Sequence, residues 1–182
     1  LGILYAGAVN VPLSIKLAEA SDLLFRIQHS DACYIIASEQ QLPKIRKILP
    51  ECPNVEKVIV FDPITDLQEK EMLVSELQTM GDAYLKEHAD AFKERYESVG
   101  PDDYANISYT SGTTADPKGA MLTHANLMAN AAQGRAWIPG LRMGRETVYG
   151  VLPMFHAYGL TLSLTFAMSI GARLVLFPKF DV

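Results

Sequence analysis

The chain of 182 residues is poor in cysteine, tryptophan and net positive charge. Its two cysteines, Cys33 and Cys52, have neither CxxC spacing nor a histidine cluster nearby, which argues against a zinc site and a disulfide framework. A reducing, cytoplasmic setting is the matching expectation. The four histidines, at positions 29, 88, 124 and 156, are scattered, so no histidine metal site is expected. A formal charge of −5 leaves the chain without the basic face that nucleic acid requires, and no nucleic-acid partner is expected. The apolar stretch from Ala157 to Ile170 is interrupted by Thr161, Ser163, Thr165 and Ser169. It is also shorter than the roughly 20 residues of a membrane span, so it reads as a buried helix. The chain opens at Leu1 without an initiator methionine or a basic leader, which argues against a signal peptide.

What is present is globular in character, with 49% apolar and 20% charged residues and length enough for a substantial core. Leu1 to Leu13 reads as a small-residue helix end followed by an extended Val-Pro-Leu segment, Gly7 and Ala8 allowing close packing. Ala18 to Ser30 carries Leu23, Leu24 and Ile27 at helical spacing, with Ser21 as its capping candidate and His29 near its end. Cys33 to Ala37 is a short apolar run expected as a buried parallel strand. A helix over about 40–49 and a strand from Val55 to Phe61 follow, which predicts a βαβ unit. From Asp62 to Gly100 the chain turns charged. Leu73, Leu77, Met80 and Tyr84, then Phe92 and Tyr96, predict one or two helices whose stripe packs on the core, with Gly81 as a candidate break. The expected fold is a parallel-sheet, layered α/β architecture. It comprises a first α/β segment (1–61), a charged helical insertion (62–100) and a third segment (101–182).

That third segment is organised around Tyr109-Thr110-Ser111-Gly112-Thr113-Thr114-Ala115-Asp116-Pro117-Lys118-Gly119. Hydroxyls and free backbone N–H groups donate to phosphate oxygens, and Lys118 adds a positive charge. Glycine allows the positive φ and close backbone approach that a wrap around phosphate needs. The order Lys118-Gly119 reverses that of a Walker A loop, and Pro117 biases Asp116 away from helix. Composition alone leaves two readings open: a cradle for the phosphates of a nucleotide, and an ordinary Ser/Thr/Gly-rich turn. A strand following Pro101 feeds the stretch, and a helix capped by Thr123 runs after it through Leu127 to about Gly134, with His124 hydrogen-bonded in its first turn. A strand, loop and helix in that order place a ligand at the carboxyl edge of a sheet. Then come a Pro/Gly-broken loop (137–144), a strand from Thr147 to Leu152, the apolar helix, and a last strand from Arg173 to Phe177. By residue type alone, His156 is a core or helix-start histidine.

Three ordered segments resemble the adenylate-forming superfamily of acyl-CoA synthetases, peptide-synthetase adenylation domains and firefly luciferase. They are the 109–119 stretch, Tyr5-Ala6-Gly7-Ala8-Val9-Asn10-Val11-Pro12-Leu13, and Leu152-Pro153-Met154-Phe155-His156-Ala157-Tyr158-Gly159. The similarity is strongest to bacterial long-chain fatty acyl-CoA ligases and spans nearly the whole chain apart from about 62–100. Ala115 departs from it, standing where the family usually has glycine. The resemblance implies part of the large N-terminal domain of an AMP-forming ligase that activates a fatty acid as its acyl-adenylate and passes it to coenzyme A. It implies ATP and Mg²⁺, with Thr110, Ser111, Gly112, Thr113, Thr114, Lys118 and Gly119 around the phosphates, and Thr110 contacting the ion. It places His156 at the acyl-substrate pocket and no catalytic residue within this chain. The family's adenine pocket, magnesium-binding glutamate, ribose-binding aspartate and catalytic lysine belong to later segments, so the chain alone is not expected to turn over. A fatty substrate also makes peripheral membrane contact an expectation. Two rival readings are an adenylating enzyme that loads a carrier protein, and a nucleotide-binding scaffold that does not catalyse.

Overall fold

The computed structural model describes residues 1–17, 19–110 and 117–177. In chain order the helices are α1 (Gly2–Tyr5), α2 (Ala20–His29), α3 (Leu42–Ile48), α4 (Val74–Glu87), α5 (Ala91–Glu97), α6 (His124–Trp137), α7 (Ala157–Gly159) and α8 (Ala167–Ser169). A π-type segment over Leu160–Phe166 joins α7 to α8. The strands are β1 (Tyr34–Ala37), β2 (Lys57–Val60), β3 (Glu71–Leu73), β4 (Tyr104–Thr110), β5 (Lys118–Thr123), β6 (Thr147–Gly150) and β7 (Arg173–Leu176). Contacts divide the chain into two compact units, Ile15–Glu94, and Leu1–Ser14 together with Arg95–Val182.

The unit Ile15–Glu94 is built on a three-stranded sheet in the order β1-β2-β3, with both pairings parallel. Leu42, Ile45 and Ile48 recur every third residue on α3, and all are buried with Val58 and Val60 of β2. This is the βαβ unit that the apolar runs predict. Three details differ from the sequence expectation. The run before Ala37 is only half covered, because Tyr34 and Ile36 are exposed and Cys33 precedes the strand. Helix α2 starts at Ala20 with no side-chain cap, so Ser21 is not its cap. Gly81 does not break α4, and the stripe expected to pack on the core instead leaves Met80 at 61% and Tyr84 at 56% exposure.

Strand β3 has only three residues and opens on a glutamate, so no apolar run announces it. Its Glu71 side chain is 1% exposed. It survives burial because the Arg46 guanidinium on α3 grips it bidentately, Nε to Oε1 and Nη2 to Oε2, each at 2.8 Å. The Gln68 N–H donates a third bond to the same carboxylate at 3.0 Å. Arg46 also donates from Nη1 to the Asp66 carboxylate at 3.0 Å and from Nη2 to the Asp66 carbonyl at 2.9 Å, tying down the connection into β3. Hydrogen bonding to Arg46 holds both carboxyls below their ordinary range, and the guanidinium is correspondingly harder to deprotonate.

In the other unit, β4 is flanked on both sides. Strand β5 pairs with it antiparallel, and Asn10 forms a parallel bridge to Asn106. Backbone bonds from Asn10 N–H to the Ala105 carbonyl and from Ile107 N–H to the Asn10 carbonyl, both 2.9 Å, make the early segment a neighbour of β4. Gly7 turns the chain from α1 into that extended segment at φ +66°, where a Cβ would also meet Arg95 Nε and Val99 Cγ2 at 3.2 Å. Strands β6 and β7 pair in parallel, with the 157–169 helix as their crossover. That helix buries Leu160, Phe166 and Ala167 where α6 contributes Leu127 and Ala131.

Candidate functional site

The hydroxyl-rich stretch begins at the end of β4. Thr110 and Lys118 are direct cross-strand partners, the last register pair before the connection, and both are exposed. Directly opposed residues in an antiparallel pair hold their Cβ atoms about 5 Å apart. A hydroxyl and an ammonium therefore stand side by side at the mouth of a hairpin. The sequence reading of strand, loop and helix is corrected here: the connection returns into β5, and helix α6 begins only at His124. Met121-Leu122-Thr123, read as a lead into the helix, is strand because it pairs residue by residue with β4. Ser111, Gly112, Thr113 and Thr114, with Ala115, lie outside the described residues. Gly119 sits in β5 opposite Tyr109, where an added Cβ would lie 3.0 Å from Ile107 Cγ2 and 3.5 Å from the Tyr109 ring. Its place in the structure is thus explained by the close approach of those side chains.

The mouth is held by polar packing that sequence reasoning missed. Asn106, 1% exposed, accepts from Asn10 Nδ2 through Oδ1 at 2.9 Å. It donates from Nδ2 to Ser108 Oγ at 2.8 Å. This short chain of bonds runs along β4 toward Thr110 and fixes the strand against the early segment. In the sequence Asn10, Asn106 and Ser108 look like ordinary polar residues 96 and two positions apart, so only the fold brings them together. At the far end of β5, Thr123 caps α6 as expected, and the cap is reciprocal. Its Oγ1 accepts from Asn126 N–H at 3.2 Å, and its own N–H donates to Asn126 Oδ1 at 3.0 Å. The His124 bond is a backbone one, from its N–H to the Asp103 carbonyl at 3.0 Å. Helix α6 passes through Gly134 and ends at Trp137 instead of stopping near the glycine.

His156 caps α7. Its Nδ1 accepts from Tyr158 N–H at 3.3 Å, which requires that nitrogen to be unprotonated. The helix start lies hard against the preceding backbone, since a Cβ on Gly159 would sit 2.2 Å from the Pro153 carbonyl oxygen. From Leu160 the helix widens to π geometry, a form that recurs at functional sites. The Thr165 hydroxyl donates to the Thr161 carbonyl at 2.9 Å across the widened turns. Beside this segment lies a groove of about 250 Å³, lined by Asn130, Gln133, Gly134 and Trp137 of α6 and by Thr161, Leu162 and Phe166. Nothing in the sequence marked it, because α6 is alanine-rich and spreads its apolar residues around the helix.

Other reactive groups are less suited to chemistry. Burial pushes the Cys52 thiol up and so keeps it from forming the nucleophilic thiolate. Among the described residues no group of three His, Cys, Asp or Glu side chains could hold a metal. No helix among them is long and apolar enough to cross a membrane.

The parallel βαβ units make the chain a parallel-sheet α/β protein, and it shares the fold of the adenylate-forming enzymes. The family described as AMP-binding enzyme matches residues 1–182, and the chain belongs to it. The long-chain-fatty-acid CoA ligase of Bacillus subtilis (strain 168) is 28% identical over 99% of the chain and 34% of its own length. The crystal structure of an anthranilate CoA ligase with anthranoyl-AMP shares the fold at a TM-score of 0.74, 23% identity, and 98% of this chain against 32% of that one. The N-terminal domain of FACL13 from Mycobacterium tuberculosis gives 0.69 with 27% identity, over 99% and 40%. The chain spans about a third of the length of the Bacillus subtilis relative.

Proposed function

We propose that these residues form part of the large N-terminal domain of an ATP-dependent, AMP-forming acid–CoA ligase, with a long-chain fatty acid as its acid. The observation that carries the proposal is the facing of Thr110 and Lys118 across the hairpin mouth. One exposed ammonium and one hydroxyl beside it form a donor set suited to phosphate oxygens. In this reading Lys118 neutralises the β- and γ-phosphates, with Ser111, Gly112, Thr113 and Thr114 supplying further donors. Gly119 keeps β5 close to Ile107 and Tyr109 where the hairpin returns. The Thr110 hydroxyl, a hard oxygen donor at the hairpin mouth, would help to hold Mg²⁺, and the ion would supply positive charge against the phosphates.

The reaction uses the acid's own carboxylate as nucleophile. A carboxylate oxygen bonds to the α-phosphorus of ATP, the bond to the bridging oxygen breaks, and pyrophosphate leaves. The thiol of coenzyme A then bonds to the acyl carbon and AMP departs. The residues of this chain position and neutralise charge in the first step. His156 and the groove beside the π segment are assigned to the acyl pocket. A 4-coumarate-CoA ligase of Narcissus pseudonarcissus, 35% identical over 71% of this chain and 22% of its own length, favours an aromatic acid as the second reading.

The test is pyrophosphate release from ATP by the complete enzyme, measured with fatty and aromatic acids and either coenzyme A or a carrier protein as acceptor. Loss of one charge-assisted hydrogen bond is worth about 1.5–3 kcal/mol, so Lys118→Ala is expected to lower kcat/KM for ATP about 10- to 150-fold. Release that no acid triggers would sink the ligase proposal in favour of a scaffold. A preference for an aromatic acid would replace the fatty substrate.

A further inference from the structure

We infer that Gly134 and Phe166 together set how long an acid tail the groove between α6 and the π segment admits, an inference that rests on the ligase reading above. Gly134 lies in the interior of α6, where glycine is a poorer helix former than alanine. Its φ is not positive, so backbone conformation does not demand it. What it provides is space. A Cβ there would lie 3.1 Å from Cδ2 and 3.3 Å from Cε2 of the Phe166 ring. Both residues line the groove, and Phe166 is 5% exposed, packed within the core of its unit. Close-packed interiors resist displacement, whereas the groove is open, so a ring pushed off Gly134 moves into the groove.

The wall opposite α6 is held in place by its own hydrogen bonds. Thr165, next to Phe166, is tied by its hydroxyl to the Thr161 carbonyl one turn earlier. The π spacing, with its i→i+5 bonds, turns Thr161, Leu162 and Phe166 toward the groove. The groove starts within a turn of Gly159 and hence close in sequence to the His156 cap. Gly134, Leu162, Phe166 and Trp137 give the groove an apolar side suited to the hydrocarbon part of a carboxylic acid, beside the polar Asn130, Gln133 and Thr161, and Gly134 and Phe166 meet within that apolar side.

The test uses the complete enzyme and kcat/KM for pyrophosphate release over a straight-chain acid series from acetate to palmitate. Gly134→Ala is expected to depress the longest accepted acids about tenfold or more relative to the shortest, the scale of one misfitting methylene. Phe166→Leu is expected to shift the profile toward longer acids, and the double substitution to return it near that of the wild type. A Gly134→Ala profile reduced equally for every acid means that the glycine serves helix packing alone, and overturns the inference. A double variant whose profile stays shifted in the Gly134→Ala direction does the same. Where Phe166→Leu fails to fold, Gly134→Ser read against Gly134→Ala supplies the second comparison, and an unchanged length profile in both overturns the inference. If the wild type releases no pyrophosphate with any acid, the ligase reading falls and takes this inference with it, an outcome distinct from an unmoved profile.

Discussion

Replacing Arg46 by methionine would remove the guanidinium that grips Glu71 while keeping most of the side-chain volume. The carboxylate left behind is 1% exposed and, among the described residues, keeps the Gln68 N–H bond at 3.0 Å. Breaking a buried pair from one side costs about 3–5 kcal/mol, because the remaining charge stays buried without its counter-ion. The guanidinium itself is 22% exposed, so the lower end of that range is expected. Asp66, 74% exposed, is largely solvated, and Asp66→Asn is expected to cost only a small part of it. The pH dependence separates this account from a simple loss of packing. Hydrogen bonding to Arg46 lowers the folded-state pKa of Glu71, so the unfolded chain takes up the proton first as pH falls. In the wild type the clamp therefore stabilises fully above the ordinary carboxylate range, about 4.3, and fades as pH drops through the folded value. Without Arg46 the sign reverses. Burial alone raises the carboxyl, so the folded state takes up the proton first, and the deficit is greatest at neutral pH and shrinks on acidification. Amide hydrogen exchange at Val58–Val60 and Glu71–Leu73, followed from pH 7.5 to 5, reads this locally. Equal deficits in Arg46→Met and Asp66→Asn, or a deficit that does not shrink on acidification, would refute the clamp. An Arg46→Met/Glu71→Met double variant should recover most of the loss.

Gly159→Ala places a methyl 2.2 Å from the Pro153 carbonyl oxygen, which only a backbone shift can relieve. A cost of about 1–3 kcal/mol in thermal unfolding is expected, against little change for Gly2→Ala, whose position has nothing within 4 Å. Melting temperatures that fall equally in the two would contradict that packing. Asn106→Ala leaves Asn10 Nδ2 and Ser108 Oγ without the bonds they make to it, and about 1–3 kcal/mol is expected to be lost. Chemical denaturation that shifts by less than about 0.5 kcal/mol would show that water replaces the amide there.

Periodicity and turn chemistry were enough for the larger elements. The apolar runs before Ala37 and Val60 and the three-residue recurrence on α3 specify a parallel βαβ unit, since strand and helix periods are local properties. Thr123 was legible as a cap because its partner Asn126 lies within one turn. The ordered motifs identified the family, and they placed Thr110 and Lys118 in one loop. That the two face each other across strands depends on β5 pairing with β4, and residues 118–123 carry no strand signal strong enough to outweigh the helix that follows. Strand β3 was hidden for a similar reason: Glu71 is buried only because Arg46, 25 positions away, arrives to pair with it. The spacing of the α4 stripe predicts a core-facing side, yet spacing specifies a face and not what covers it. The groove, the Gly134–Phe166 contact and the Asn10–Asn106–Ser108 chain join residues distant along the chain or united only by a particular hydrogen-bond geometry. Such contacts exist once the segments are packed, and that is what the tertiary structure alone decided.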